Sequence, residues 1–287
     1  MRPGAADLRP IASLLLNAMV WGLSWWPMRQ LQAAGLHPLW ATAIIFAISS
    51  GVISLRRPGA WRELLTQPPL WLILLAAGTT NASFNWGMAA GDVVRVVLLF
   101  YLMPLWTVLL ARVLLQEPIT RPAMGRVAMA LTGAAIVLWP AGGDSAALAF
   151  QPVDLLGLLG GFSFAVNNIM LKREAHRGDG GRGLAMFLGG CVVSFTLALT
   201  LQVPTPPPPG PWLLGTLALG ACFLVSNLAL QHGVSHLPAN VTAVVMLTEV
   251  LWATGSALAL GAGHMTLPLA LGGGLIVGAA ALAALRP

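Results

Sequence analysis

The residues of this chain able to do chemistry are few, and they sit in apolar company. One carboxylate, Glu249, interrupts the run Val244-Val245-Met246-Leu247-Thr248-Glu249-Val250-Leu251-Trp252. Six asparagines, Asn17, Asn81, Asn85, Asn167, Asn168 and Asn227, lie within similar apolar stretches. Rings recur beside them at Trp21, Trp25, Phe84, Tyr101, Trp106, Phe164 and Trp252. A lone acid in such surroundings can hold a proton or an ion, or face an amine. Amides both donate and accept hydrogen bonds, and ring faces stack. Enzymatic chemistry would need a nucleophile with its base, paired carboxylates or a set of metal ligands. No His-Glu-x-x-His, Gly-x-Ser-x-Gly or phosphate-binding glycine loop is present, and the five histidines fall at or near the ends of apolar runs. The expectation is therefore a protein that is not an enzyme, with no cofactor, no metal and no direct use of ATP.

The matrix around these residues defines the class. Hydrophobic residues make up 57% of the 287 and charged residues 8%, with mean hydropathy +0.81, whereas a soluble domain carries about 25% charged residues. The apolar runs are about 20 residues long, the length of a membrane-crossing helix rather than of a barrel strand. Ten spans are expected, at about 11–31, 38–55, 70–90, 93–115, 121–140, 154–172, 183–203, 212–231, 238–260 and 266–285. An even number puts both termini on one side. If that side is the cytoplasm, 13 of the 15 basic residues fall in inner segments and only Arg29 and Arg95 lie outside. The positive-inside rule then fixes both termini in the cytoplasm. It also accounts for the net charge of +6 without nucleic acid as a partner. The first span reads as a retained helix rather than a cleaved signal. Cys191 and Cys222 read as buried apolar residues that form no disulfide, and Pro204 to Pro211 as a stiff outer connector. Trp61, Trp71, Trp139 and Trp212 stand near span ends, as indoles at headgroup level do.

The chain also repeats itself. Trp21-Gly22-Leu23-Ser24 through Arg29 parallels Phe164-Ala165-Val166-Asn167 through Lys172 at an offset of 143. Gly78, Asn85 and Gly91 parallel Gly220, Asn227 and Gly233 at 142, and Thr120-x-Pro122 parallels Thr266-x-Pro268 at 146. Two units follow, 1–140 and 154–287, joined by an outer linker at 141–153. With five spans in each, the second enters the membrane with opposite polarity. The expected fold is all-α and polytopic, ten transmembrane helices in two inverted five-helix repeats. Secondary transporters recur on this plan and bind substrate near the midplane between the repeats.

On these residues the chain resembles the EamA-type branch of the drug/metabolite transporter superfamily. The resemblance is carried by Trp21-Gly22 in the first span, Pro104 within the fourth, Glu117-Pro118-Ile119-Thr120 after it, and Gly125 and Gly133 in the fifth. Within that branch, the length and the Trp-rich first span are similar to the YddG-type exporters of aromatic amino acids. The second half departs from the pattern, with Glu249 or its neighbour where a proline is expected and Gly263-His264 in place of the acid after the ninth span. The resemblance implies export and a bacterial inner membrane.

Helical spacing puts Asn17, Trp21, Trp25 and Met28 on one face of the first span. Asn81, Phe84 and Asn85 from the third, Tyr101 and Trp106 from the fourth, Phe164, Asn167 and Asn168 from the sixth, Asn227 from the eighth, and Glu249 and Trp252 from the ninth reach a similar depth. Two readings fit the asparagines: glue between helices, at about 0.6–2 kcal/mol each, or the lining of a chamber. Glu249 is read as a coupling residue or counter-charge, its alternative being a protonated acid bonded to a neighbouring helix. Pro27 and Pro104 interrupt long spans and are candidate hinges. Gly157-x-x-Gly160 and Gly274-x-x-x-Gly278 permit close helix approach, read as packing within a monomer with a dimer face as the alternative. The expected function is alternating-access export of small metabolites, amino acids with aromatic side chains among them, with efflux of lipophilic cations against protons as the alternative. The partners are a small-molecule substrate and the lipid bilayer.

Overall fold

In a computed structural model, residues 8–100, 102–114, 116, 120–138, 151–237, 242, 245–246, 248–262 and 265–285 are described. Tyr101, Glu117-Pro118-Ile119, Trp139, most of the 141–153 linker and Gly263-His264 lie outside the described residues, as do the side chains of Arg95 and Pro104.

All regular structure among the described residues is helical. The helices are α1 (Arg9–Leu23), α2 (Trp25–Ala33), α3 (Pro38–Arg56), α4 (Gly59–Thr66), α5 (Pro68–Ala90), α6 (Val93–Phe100), α7 (Met103–Leu114), α8 (Arg121–Leu138), α9 (Pro152–Arg173), α10 (Asp179–Thr200), α11 (Pro211–His236), α12 (Thr248–Ala259) and α13 (Leu267–Leu285). Four of them, α3, α9, α10 and α11, are long and apolar enough to cross a bilayer. The 23-residue α5 is long enough but less apolar, since its second half carries Thr80, Asn81, Ser83 and Asn85. The short α4 was not expected from the apolar runs.

Prolines start many of these helices, because the first turn has no use for the missing N–H. Inside a span proline does the opposite. Pro27 cannot donate to the Leu23 carbonyl, and the first span breaks into α1 and α2 at Ser24. There the Ser24 N–H and Oγ–H both turn back to the Trp21 carbonyl, at 3.1 and 2.7 Å. The fourth span breaks between Phe100 and Met103, just before Pro104, which has no N–H to offer the Phe100 carbonyl.

The helices meet backbone to backbone at glycines. A Cβ placed on Gly161 would lie 2.2 Å from the Phe100 carbonyl oxygen, so α9 reaches the break in the fourth span only because residue 161 has no side chain. A Cβ on Gly22 would lie 2.7 Å from both the Glu249 carbonyl oxygen and Trp252 Cβ, which brings α1 onto the start of α12. α5 and α10 cross at Gly78 and Gly189, where a Cβ on Gly189 would come within 2.0 Å of the Leu74 carbonyl oxygen. Gly157 and Gly160 face α6 in the same way. Of the Gly274–Gly278 pair, only Gly278 makes a close approach, to Met129 on α8.

The end of the molecule that carries Arg56 and Arg177 is closed by polar groups. The Glu63 carboxylate accepts from the Gly181 N–H at 2.9 Å, and Arg177 bridges Glu174 and Gln67. Lys172 donates to the Leu237 carbonyl at 2.7 Å. Arg182, only 1% exposed, binds Ser235 Oγ at 2.9 Å and the Asp179 carboxylate. These basic residues thus fasten helix ends as well as marking topology. Cys191 is half-buried and Cys222 exposed, and both are free thiols. The expectation that both are buried is corrected for Cys222, since an outward helix face in a bilayer is as apolar as a core. At the opposite end, His37 caps α3 by accepting from the Leu39 N–H through Nδ1 at 3.2 Å, with its ring edge-on to Trp86.

Two outcomes test this packing. Gly22→Val should lower stability by about 2 kcal/mol, whereas Gly125→Ala, where nothing lies within 4 Å of the new Cβ, should be neutral or stabilising by about 0.5 kcal/mol; denaturant titration in detergent compares them. Burial lowers the His37 pKa below its ordinary value. The unfolded chain therefore binds the proton more readily, and the stability from the neutral cap is present above about pH 6.5 and lost as pH falls through the lower folded value. Melting temperatures between pH 7 and 5 should fall for the wild type, and this component of the fall should be absent in His37→Asn.

Candidate functional site

The breaks and glycine contacts bring seven spans around one point. A cavity of about 30 Å³, room for roughly two waters, lies between α1, α5, α6, α9, α10, α11 and the ninth span. Asn17 and Trp21 face it from α1, Asn81 and Phe84 from α5, Phe164 and Asn167 from α9, Asn227 from α11, and Glu249 from α12. Thr80 and Phe100 complete the polar and aromatic wall, and Ala77, Met186, Leu230 and Met246 fill the remainder.

The rings form one connected array. Trp21 stacks on Phe223 with centroids 4.3 Å apart and meets Phe84 edge-on at 5.6 Å. Phe84 meets Phe100 at 4.9 Å, and Phe100 meets Phe164 at 5.4 Å. Trp21, Phe84 and Phe100 of the first part of the chain are flanked by Phe223 and Phe164 of the second, so no single helix could form the wall.

The amides are oriented in a consistent sense. Asn17 Nδ2 donates to the Ser226 carbonyl at 2.9 Å and to Ser226 Oγ at 2.7 Å. Asn81 Nδ2 donates to the Ala77 carbonyl at 2.6 Å, and Asn227 Nδ2 to the Phe223 carbonyl at 2.9 Å. The donors are thus spent on helix backbones. The side-chain oxygens of Asn17, Asn81 and Asn167 are buried and accept no hydrogen bond from a described residue. Glu249 adds a carboxyl group, 2% exposed, within the ninth span. The cavity wall is therefore rich in acceptors and suits an ammonium or other N–H-bearing group seated against aromatic faces.

Several residues expected at this depth are placed elsewhere. Trp25 lies past the Ser24 break, with Nε1 donating to Ser256 Oγ at 2.9 Å and the ring beneath the Arg29 guanidinium. Asn85, one turn beyond Asn81, donates to Thr42 Oγ1 at 2.9 Å and joins α5 to α3. Trp106 is half-buried and edge-on to Phe162. Asn168 is half-buried and only brushes Asn167, at 3.5 Å. Trp252 is 44% exposed, because the contact of its Cβ with Gly22 directs the indole outward. Tyr101 is not among the described residues. Pro27 and Pro104 flank the two helix breaks. Conversely, Met186, Met246, Leu230 and Ala77 carried no signal in the sequence, since apolar residues in apolar spans are ordinary.

The architecture is that of an all-helical membrane protein with an amide- and ring-lined cavity at its centre. Residues 8–139 match the model of the EamA-like transporter family. That match covers just under half of the chain and includes Trp21-Gly22 and Pro104, which carry the resemblance. It is similar to an uncharacterized transporter of Pseudomonas aeruginosa, with 29% identity over 145 residues, 48% of this chain and 49% of the relative. The match thus spans about half the length of that protein. A protein of known crystal structure shares the fold at a TM-score of 0.68 and 22% identity, over 96% of this chain and 97% of its own.

The Asn17–Ser226 contact is open to a double-mutant cycle. Asn17→Ala and Ser226→Ala should each destabilise the protein in detergent, with a coupling of about 1 kcal/mol; additive effects would show that this bond does not tie α1 to α11.

Proposed function

We propose that this protein is a secondary transporter that exports small metabolites, amino acids with aromatic side chains among them, across a bacterial inner membrane by alternating access. The observation that carries this reading is the acceptor-rich, ring-walled cavity shared by helices from both parts of the chain. Its acceptors suit a substrate ammonium, and its rings suit an apolar side chain.

Helix pairing supports two inverted five-helix units, 1–140 and 154–287, with 141–153 between them. Advancing each helix by five spans turns the α1–α12 contact into that of α9 with the fourth-span helices α6 and α7, α1–α11 into α9–α5, and α5–α10 into α11–α3. The pairs α3–α10, α6–α12 and α8–α13 map onto themselves. Such pairing follows from a two-fold axis between the units. The distribution of basic residues supports cytoplasmic termini for a multi-pass protein.

Binding sites for molecules of this size occupy several hundred Å³, so a cavity of 30 Å³ corresponds to the contracted state of the transport cycle. Loading parts Trp21 from Phe84 and Phe223, and the breaks at Ser24 and Phe100–Met103, set by Pro27 and Pro104, are where the spans bend. Glu249 is the candidate coupling residue. A second reading, exchange of lipophilic cations for protons, is favoured by the same acceptors and by Glu249.

Flux of labelled tryptophan, phenylalanine and threonine in proteoliposomes, with and without a pH gradient, tests the proposal. Tryptophan and phenylalanine should move faster than threonine, and Trp21→Ala should slow them about tenfold through loss of stacking. Flux that survives Glu249→Gln assigns facilitated export, and flux that needs both the gradient and the carboxylate assigns coupling to Glu249. Movement of a lipophilic cation with no movement of any amino acid would replace the proposal with the second reading.

A further inference from the structure

A larger cleft, of about 720 Å³, lies away from the central cavity, between the last turns of α3, the first turn of α10 and the second half of α11. Its origin is visible in the packing. α11 lies along α3 near Gly220 and Ile45, then leans onto α1, where a Cβ on Gly233 would come within 2.5 Å of Leu14. The lean leaves the end of α3 without a neighbour on that side. Arg56, Arg57, His232 and His236 line the mouth, while Val52, Leu224 and Leu228 line the interior. Leu228 is 40% exposed and the side chains of both arginines are exposed. One acid is present, Asp179, and its carboxylate is taken by the buried guanidinium of Arg182. Arg56 and Arg57 make no ion pair among the described residues.

We propose that this cleft seats an anionic phospholipid of the surrounding bilayer, with its phosphate between Arg56 and Arg57 and the upper part of an acyl chain along Val52, Leu224 and Leu228. The proposal rests on the membrane-spanning reading and is independent of what the central cavity transports. Two observations select a lipid over a soluble anion. The cationic mouth stands at the ends of α3 and α11, at headgroup level for helices of this length. The interior is apolar, which gains nothing from a hydrated solute but matches a lipid tail. Basic clefts between helices at the membrane surface attract acidic headgroups, and each arginine near that surface strengthens binding about fivefold.

Native mass spectrometry of the purified full-length protein, titrated with phosphatidylglycerol, phosphatidylcholine or inorganic phosphate, tests this. Phosphatidylglycerol should bind about tenfold more tightly than phosphatidylcholine. The preference should fall tenfold or more in Arg56→Gln/Arg57→Gln, and stay within twofold in Arg62→Gln/Arg173→Gln, which removes equal charge from the same end of the molecule outside the cleft. Leu228→Ser should weaken phosphatidylglycerol severalfold without affecting the weak retention of inorganic phosphate. Equal losses from the two arginine pairs would reduce the effect to general surface charge and overturn the site. Inorganic phosphate that displaces phosphatidylglycerol at equal concentration, with Leu228→Ser silent, would make it a soluble-anion site and overturn the lipid. Because the readout is occupancy rather than flux, failure of the transport proposal leaves this result interpretable.

Discussion

The centre of this molecule depends on the contact of Gly22 with the backbone at Glu249. In a bilayer, lipid tails are as apolar as leucine, so helices gain little from hiding apolar side chains from one another. Close backbone approach, with its many dispersion contacts, takes the place of that force. At Gly22 the absence of a side chain lets α1 rest on the backbone at Glu249, and this one approach has three consequences. It sets the Glu249 carboxyl group at the depth of Asn17 and Trp21. It turns Trp252 outward. It also brings a helix from the beginning of the chain against one from near its end, so the cavity wall is assembled across the molecule. Gly161 repeats the device against the Phe100 carbonyl, where the absence of an N–H at Pro104 has already opened the helix.

The polar groups divide between two tasks. At the basic end they fasten helices: Glu63 to the start of α10, Arg182 to Ser235 and Lys172 to Leu237. In the cavity, Asn17 joins α1 to α11 through its nitrogen, whereas Asn81 and Asn227 donate to carbonyls one turn back in their own helices. The oxygens of Asn17, Asn81 and Asn167 are left without a described donor, so Asn17 is glue at its nitrogen and wall at its oxygen. Asn85 is glue alone, joining α5 to Thr42 of α3 away from the cavity.

The two parts of the chain pack alike without packing equally. α5 lies tightly along α10 through Gly78 and Gly189, whereas the corresponding α11 leaves α3 to lean on α1 at Gly233. The tight pair is a fixed seam, and the loose one opens the cleft beside Arg56 and Arg57. Glycine placement sets how closely these helices meet.

Membrane residence and helical class were legible in the residues themselves, because composition and the length of apolar runs are one-dimensional quantities that a bilayer reads directly. The helix breaks were legible for the same reason, since Pro27 and Pro104 remove a donor wherever they occur. Helical spacing also grouped Asn17 with Trp21 and Asn81 with Phe84. It could not separate Trp21 from Trp25 or Asn81 from Asn85, because a shared face one turn long spans both the cavity and its surroundings. Only the tertiary structure decided that Trp252 faces outward, that Met186 and Met246 complete the wall, and that Arg182 is buried among helix ends. The physical reason is that a bilayer and a protein interior are alike to an apolar side chain. Which side of a helix faces which is therefore settled by where backbones can touch, and that depends on glycines facing one another across distant parts of the chain.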